Sequence, residues 1–308
     1  MFEGKNTKKN LENKKFKKLT KKKHISWCIS NGLFYSSPEA SSLKKSYQNS
    51  IYCASILLPK EDKLTTHYCK NRWCPVCQSI RIAVLIKAYM KPLKALKELY
   101  FVTLTAPTVG ERELPNRIKY FESIWKSIRN SWYFKKNKPD GIRKMECTIR
   151  PKDKYHYHFH VIIDGKENAE WLVNEWVKRT EGANKKAQDI RPVQDGKYIE
   201  LFKYFTKLIT KDSRGKRTFN FERLNVIFEA IKGKRIYQTF GKIKQEKEEI
   251  EEVILEGQEA TEEYLQIWRW ATDVGYINSE GEILTGDYQL PKWVEELCRA
   301  IEEGGRLC

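Results

Sequence analysis

Three of the five histidines in this 308-residue chain stand at every second position of one short segment, as His156, His158 and His160. On a β-strand, side chains alternate between the two faces of the sheet, so these three imidazoles share one face. Clustered imidazoles on one surface are what a divalent metal ion binds. Because His156 and His160 would lie about 13 Å apart, a straight strand can bring only two adjacent histidines to one ion at roughly 2.1 Å each.

A third metal ligand is expected from the neighbouring strand, and Glu146 is the best candidate. Two strand-like segments flank the polar turn at 151–154. A hairpin around that turn places Glu146 across from His158 or His160, on the histidine face. The alternative interpretation is a solvent-facing polar strand whose histidines bind no metal.

A second cluster of metal-ligand residue types is the C-x4-C-x2-C pattern of Cys69, Cys74 and Cys77. The C-x2-C step lets two thiolates reach one tetrahedral Zn²⁺, and a closed site needs a fourth ligand. Cys53 is the better candidate for a structural site, and His67 is the alternative. Such a zinc ion would stabilise a small fold. The competing interpretation is three buried or free thiols.

The segment 199–209 has apolar residues at helical spacing, which places Glu200, Tyr204 and Lys207 on one helix face. An amphipathic helix with a half-buried tyrosine is the default interpretation of this pattern. A phenol is a poor nucleophile because its pKa is about 10, but the Lys207 ammonium favours the phenolate. A metal ion stabilises charge on a scissile phosphate, and Glu200 can activate water. Tyrosine, carboxylate and metal together predict a strand-transfer nuclease.

These residues require a sheet that carries the histidines and helices that cover it. Alternating and helical patterns predict an α+β fold, in which an antiparallel sheet is covered by helices. The predicted strands are at 100–105, 145–149, 156–163 and near 190. The predicted helices are at 79–99, 117–132, 167–179, 199–209, 219–232 and 245–270.

The charge distribution indicates a polyanionic partner. The chain carries a net charge of +18, but residues 1–244 hold 53 Lys and Arg against 23 Asp and Glu, whereas residues 245–308 hold 5 against 17. For a region this basic, nucleic acid is the first candidate among polyanionic partners. A ribosome-associated or merely soluble basic protein is the alternative. Residues 1–23 hold ten lysines and are predicted to be a flexible basic arm.

Membrane and secreted classes are disfavoured by the sequence. No stretch approaches the roughly 20 apolar residues that span a bilayer, and no apolar core of a secretory signal follows the N-terminal lysines. A cytoplasmic location is therefore expected. In that compartment, the eight cysteines are not expected to form disulfides.

Together, the motifs resemble the rolling-circle replication initiators of small plasmids, the single-tyrosine branch of the His-hydrophobe-His (HUH) endonucleases. The matching segments are 101–105, 143–146, 158–160 followed by Val-Ile-Ile, and 200–204, with further likeness at 69–77 and 230–235. In the family's metal motif, His158 and His160 are the histidine ligands and Glu146 is the acidic one, so His156 is a departure. The resemblance covers roughly residues 50–242.

The resemblance implies a fold and a chemistry. The fold is an HUH domain with an RRM- or ferredoxin-like core, in which Mg²⁺ or Mn²⁺ is bound on the sheet beside the tyrosine helix. Tyr204 attacks a phosphodiester at a single-stranded or extruded site of the plasmid origin, forms a 5′-phosphotyrosine and leaves a 3′-OH primer. Glu200 then activates water for the terminating cleavage. DNA is the implied partner, and host helicase and other replication proteins are further candidates.

The expected organisation is a basic arm at 1–23, a zinc- and DNA-binding region at 24–98, a nicking domain at 99–242 and an acidic helical region at 243–308. A conjugative relaxase or a transposase with the same chemistry is one alternative function. A non-catalytic, zinc-stabilised DNA-binding regulator is another, but it leaves three aligned histidines unexplained.

Overall fold

The computed structural model describes residues 2–194, 197–202, 210–211, 217–244, 258–259, 261–272, 274–286, 288–296 and 299. The described chain falls into two compact units. The first, the cysteine unit, draws on residues 1–81, 208–222 and 251–308. The second, the histidine unit, draws on residues 82–207 and 223–250. Both units are therefore assembled from segments that are distant in the sequence.

Helices and strands are interspersed along the described chain. The helices are α1 (Phe2–Ser36), α2 (Lys44–Ile51), α3 (Pro75–Lys94), α4 (Leu114–Arg129), α5 (Trp132–Asn137), α6 (Lys166–Arg179) and α7 (Phe221–Ala230), and residues 292–296 are also helical. The strands are β1 (Ile56–Lys60), β2 (Lys63–Thr66), β3 (Leu99–Thr105), β4 (Gly141–Arg150), β5 (Lys154–Asp164), β6 (Asp189–Pro192), β7 (Thr210–Lys211), β8 (Arg217–Thr218), β9 (Tyr237–Phe240), β10 (Gln258–Glu259), β11 (Trp268–Ala271) and β12 (Gly275–Ile277). Short 3₁₀ helices cover Lys185–Ala187, Lys197–Phe202 and Glu262–Tyr264. In this described part of the chain, no helix combines the length and the apolarity that crossing a membrane requires.

The histidine unit is built on a five-stranded antiparallel sheet with the strand order β6-β3-β5-β4-β9. Alternation along the central strand β5 divides its side chains between two faces. Phe159 is buried against Phe121 of α4 and Trp176 of α6, with ring centroids 5.7 and 5.6 Å away. These helices therefore cover one face of the sheet, and the neighbouring positions His158 and His160 lie on the other.

Most elements of the histidine unit agree with the sequence patterns. Strands β3, β4, β5 and β6 and helices α4 and α6 all overlap predicted segments, and the α+β expectation is confirmed to that extent. Pro92 lies inside α3 and does not end it. The predicted helix at 199–209 differs: its described part belongs to the 3₁₀ helix Lys197–Phe202, and residues 203–209 lie outside the described residues.

The cysteine unit contains a second five-stranded antiparallel sheet, ordered β10-β2-β1-β11-β12. Its core combines apolar side chains with the buried Cys53, Cys74 and Cys77. Tyr276 of β12 is fully buried, and its hydroxyl donates a hydrogen bond to the carbonyl of Ala54 at 2.5 Å. This bond ties β12 to the loop that carries Cys53.

Residues 1–23 differ from the flexible arm that their lysines predict, because from Phe2 onward they belong to the long helix α1. Phe16 is buried, and its ring lies 5.1 Å from that of Tyr264. Lys23 is buried as well, and its ammonium donates a hydrogen bond to Ser55 Oγ at 2.9 Å. Lysine has a high helix propensity, so a lysine-rich segment can form a helix once a few side chains anchor it.

The acidic C-terminal region also differs from the helical region predicted at 243–308. Its described part includes β10, β11 and β12, which join the sheet of β1 and β2. Aromatic residues favour pleated strands, and Trp268 of β11 and Tyr276 of β12 are both buried. Residues 245–257, where the sequence also predicts a helix, lie outside the described residues.

Candidate metal centres

The β4–β5 hairpin brings together the side chains predicted to bind a catalytic metal. Glu146 lies directly opposite His158 in the antiparallel register, as predicted. The Nε2 atoms of His158 and His160 are 3.2 Å apart. Oxygens of Glu146 lie 3.9 Å from His158 Nε2 and 3.4 Å from His160 Nε2. Ligand atoms that share one ion at roughly 2.1 Å are about 3 to 4 Å apart, so this group fits a divalent metal ion.

Hydrogen bonds on the far side of each imidazole orient the two histidines. Nδ1 of His158 lies 3.2 Å from the carbonyl oxygen of His156. Because a carbonyl only accepts, Nδ1 carries the proton and Nε2 keeps its lone pair. Nδ1 of His160 lies 3.2 Å from Thr103 Oγ1 on β3. Both Nε2 atoms are left to face Glu146, and such support of the ring is typical of metal-binding histidines.

The electrostatics of this group favour deprotonated ligands. Burial acts to raise the pKa of Glu146, but the hydrogen bond with His160 and the charge of Lys144 outweigh it and lower the pKa to about 2. Burial, together with repulsion from His160, lowers the pKa of His158 to about 3. At neutral pH the group therefore presents a carboxylate and a neutral imidazole, which are the protonation states that bind a cation.

Lys144 also belongs to this site, although no motif in the sequence singles it out. Its side chain is 2% exposed, and Nζ donates a hydrogen bond to Glu146 Oε2 at 2.9 Å. Across the hairpin, Lys144 is opposite His160. The available signal is the two-residue period of a strand, because residues 144 and 146 must share one face.

His156 lies on the same strand but outside the three-ligand group. Its Nε2 contacts Thr105 Oγ1, and its Nδ1 lies 3.4 Å from Arg150 Nη2. Its ring stacks on that of His158 with the centroids 4.8 Å apart. Both of its ring nitrogens are therefore engaged elsewhere, and the structure does not bring His156 to the predicted ion.

The second candidate centre consists of four thiols in the cysteine unit. Cys53 Sγ lies 3.5 Å from Cys77 Sγ and 3.6 Å from Cys74 Sγ. Cys69 Sγ lies 3.6 Å from Cys77 Sγ. Four sulfurs at 2.3 Å from a tetrahedral Zn²⁺ are about 3.8 Å apart, so the spacing fits zinc. Of the two candidates for the fourth position, Cys53 joins the group and His67 does not.

Donors around these sulfurs favour thiolates. The backbone N–H of Lys70 points to Cys77 Sγ at 3.2 Å, and the N–H of Cys77 points to Cys74 Sγ at 3.5 Å. Ser26 Oγ lies 3.0 Å from Cys74 Sγ. Hydrogen bonds to a charged group stabilise that charged form. None of the six described cysteines forms a disulfide, so the thiols are available as ligands.

The predicted tyrosine helix lies only partly within the described residues. Glu200 is in the 3₁₀ helix Lys197–Phe202, and its carboxylate is 3.5 Å from Arg191 Nη2 of β6. Leu201 and Phe202 of the same 3₁₀ helix are buried and anchor it in the histidine unit. Tyr204 and Lys207 lie outside the described residues.

The fold and the two centres define a class of protein: a basic α+β protein with one three-ligand and one four-thiol candidate metal centre. A family model described as a replication protein matches residues 62–276, which is more than half of the chain. The chain belongs to this replication protein family, Rep. The resemblance to the replication initiators of plasmids is thereby confirmed at the level of the family.

Curated relatives carry the corresponding name. Protein rep of Staphylococcus aureus is 33% identical over 123 residues, which are 36% of this chain and 52% of the relative. Protein rep of a Bacillus species is 30% identical over 192 residues, 55% of this chain and 61% of the relative. Protein rep of Bacillus amyloliquefaciens is 30% identical over 146 residues, 42% and 41% of the two chains. The chain thus spans about half the length of the curated relatives it matches. No solved structure matches it.

Proposed function

We propose that this protein initiates plasmid replication by cutting and rejoining one DNA strand at the origin, as an HUH endonuclease. Membership in the replication protein family supports the proposal, and so does the large excess of basic over acidic residues in 1–244. The observation that carries it is the group of Glu146, His158 and His160, whose ligand atoms all lie within 4.8 Å of one another.

A divalent cation held by these three side chains, Mg²⁺ or Mn²⁺, would polarise the scissile phosphate and stabilise the charge that develops on it. Three protein ligands leave coordination positions for phosphate oxygens, since such ions take about six ligands. Lys144 is hydrogen-bonded to Glu146 and adds a positive charge beside the same phosphate.

The proposed nucleophile is Tyr204. Its hydroxyl oxygen forms a bond to phosphorus while the bond from phosphorus to the 3′ oxygen breaks. The phenolic proton passes to solvent, the 3′ oxygen takes up a proton, and a 5′-phosphotyrosine and a 3′-OH primer result. Lys207 favours the phenolate. To end a round, Glu200 removes a proton from a water molecule that attacks the DNA in place of a second tyrosine.

The four thiols are proposed to hold a structural Zn²⁺. Such an ion would join the loop of Cys53 to the segment 69–77 at the start of α3. Zinc sites with four cysteine ligands contribute directly to folding. Its role would be to keep this part of the cysteine unit in one conformation for DNA binding.

The test of the proposed chemistry is covalent capture on the full chain. The protein is incubated with supercoiled DNA of its own replicon and Mn²⁺, the DNA is digested, and a denaturing gel reports a nucleotide adduct. We expect an adduct on the wild type and none on Tyr204→Phe, which lacks only the hydroxyl. An adduct on both proteins would assign the nucleophile to another residue.

The alternative functions have distinct outcomes in the same assay. A relaxase or transposase would also form an adduct, and membership in the replication protein family favours an initiator over both. A non-catalytic regulator would bind the DNA and form no adduct. It would also have no use for the three-ligand group on the sheet.

A further inference from the structure

A cavity of about 730 Å³ in the histidine unit is formed by α4, α5, the loop after α5 and the edge strand β9. We refer to it as the α4–β9 cavity. Trp125 of α4 lines it and packs edge-on against Phe159 at a centroid distance of 6.1 Å. The cavity therefore opens on the helix-covered face of the sheet. None of Glu146, His158 and His160 lines it.

Positive charge is concentrated around this cavity. Five basic side chains line it: Lys126, Arg129, Lys135, Lys138 and Lys242. Within the described residues, none of the five forms an ion pair with a carboxylate. Glu122, the acidic residue of the lining, is bound to Arg143 at 2.8 Å. Burial, together with repulsion from Arg143, lowers the pKa of Arg129.

Apolar residues line the inner wall of the cavity, and two polar atoms without partners lie behind it. Trp125 is 1% exposed, and its Nε1 has no hydrogen-bond partner among the described residues. Gln238 Oε1, on β9, is likewise buried and unpaired there. Buried polar atoms are nearly always paired in folded proteins, but these two atoms are closed off from solvent and are not presented to a ligand in the cavity. Phe134 and Pro139 add apolar surface.

We propose that the α4–β9 cavity binds a nucleotide of single-stranded DNA, with its phosphate among the cations and its base against the apolar wall. A positively charged groove that follows the backbone is one way in which proteins hold single strands without sequence preference. The volume lies in the range of ligand pockets, about 300–1,000 Å³. A concave site of this size admits an unpaired base, whereas a duplex presents only its backbone.

The position of the cavity would let one DNA strand occupy both this subsite and the candidate metal centre. β9 is the edge strand next to β4, which carries Glu146. A DNA strand bound at the metal centre would reach the cavity by crossing that edge. The inference rests on the proposed function in one respect only, the identity of the ligand as DNA.

The first test compares two triple variants that remove the same charge. The cavity triple is K126Q/K135Q/K138Q, and the control triple, on exposed positions of α4 and α6, is K119Q/K166Q/K178Q. Binding of a fluorescent oligothymidylate of about 20 nucleotides is measured at several salt concentrations. Each phosphate contact adds about 0.7 to the slope of log Kd against log salt.

For the cavity triple, we expect that slope to fall by about 1 to 2 and binding at physiological salt to weaken roughly tenfold or more. The control triple should keep the slope of the wild type. Equal slopes for the two triples would overturn the inference. A thermal melt of each variant shows whether it folds.

The second test needs no variant, so it remains decisive if the cavity triple does not fold. Lysine acetylation of the wild type is read by mass spectrometry with and without the same oligothymidylate. The single strand should protect Lys126, Lys135 and Lys138 and leave Lys119 and Lys178 reactive. Protection by a duplex or by free thymidine monophosphate, with none by the single strand, would overturn the assignment.

Nicking is scored separately on the same preparation, so that the two proposals can fail independently. A wild type that never nicks DNA but loses binding only in the cavity triple would remove the proposed chemistry and support the subsite. A wild type that nicks DNA while its cavity lysines stay reactive would support the proposed chemistry and remove the subsite.

Discussion

The two candidate metal centres differ in the number and the chemistry of their ligands. The thiol centre has four ligand atoms, with neighbouring sulfurs 3.5 to 3.6 Å apart. The histidine centre has three ligand side chains, with nitrogen and oxygen atoms 3.2 to 3.9 Å apart. Zinc sites with four protein ligands are closed and structural, whereas catalytic sites leave a position open. We therefore expect the thiol centre to stabilise the fold and the histidine centre to act on substrate.

The ligand types also separate the metals that the two centres prefer. Thiolates are soft ligands that select zinc, whereas carboxylate with imidazole accepts Mg²⁺ or Mn²⁺ when phosphate oxygens complete the coordination. The centres belong to different compact units. Loss of the metal ion from the histidine centre should thus lower activity without changing the zinc content. Loss of zinc from the thiol centre should lower activity by destabilising the fold.

The largest expected effect is the loss of nicking when the histidine centre loses a ligand. For His158→Ala, we expect the nicking rate with Mn²⁺ to fall by roughly 100-fold or more. Duplex binding in a gel-shift assay should stay within a few-fold of the wild type, because His158 is neutral at pH 7. His156→Ala is the matched control, since His156 lies outside the three-ligand group. Equal losses in the two variants would contradict the assignment of ligands.

The second prediction concerns the thiol centre and protein stability. Cys74 is fully buried, and Cys74→Ala leaves only three thiols. We expect zinc, measured by elemental analysis, to be lost and the Tm to fall by roughly 10 °C or more. The control is Cys28→Ala, which removes another buried thiol of the same unit and should retain the metal. Zinc retained by Cys74→Ala would argue against this centre.

The third prediction uses the low pKa of His158. Folding lowers that pKa from 6.5 to about 3. Below pH 6.5 the unfolded chain binds a proton that the folded protein does not, so the stability from this group is complete above pH 6.5 and declines as the pH falls toward 3. The decline is at most about 1.4 kcal/mol per pH unit. Glu146 acts in the same direction below its ordinary value of 4.5, because its folded pKa is also lowered.

The measurement is the free energy of unfolding in urea at pH 7 and pH 5 for the wild type and for His158→Gln. We expect the wild type to lose about 2 kcal/mol more than the variant over this interval. The subtraction removes contributions from the cysteines, which are common to both proteins. Parallel pH dependences would show that His158 is not held in a neutral form.

Local patterns were sufficient to predict most of the side chains that form the two candidate centres. The short turn between β4 and β5 fixes the register, and the two-residue period of a strand fixes the face, so Glu146 and the two histidines follow from the sequence. The C-x4-C-x2-C spacing likewise identifies three of the thiols. Lys144 was within reach of the same argument, since it shares the strand and the face of Glu146.

Pairing between distant segments could not be predicted in this way. Leu57 of β1 pairs with Trp268 of β11, more than 200 positions later, and no local period encodes such a partner. The acidic composition of the C-terminal region favours a separate helical unit, but burial of its aromatic residues in the shared sheet overrides that composition. In α1, the burial of Phe16 likewise overrides the flexible arm that the lysine-rich composition predicts.

The smallest expected effect concerns Lys144, whose substitution should change the Mn²⁺ requirement of the histidine centre and leave the thiol centre unaffected. The ammonium of Lys144 competes with a metal ion for Glu146 Oε2, to which it donates at 2.9 Å. In Lys144→Met the carboxylate is released, and we expect the Mn²⁺ concentration for half-maximal nicking to fall about fivefold, equivalent to about 1 kcal/mol for one hydrogen bond. Zinc content should not change, and Lys119→Met serves as the control. A higher Mn²⁺ requirement would instead mean that Lys144 positions Glu146 for the metal.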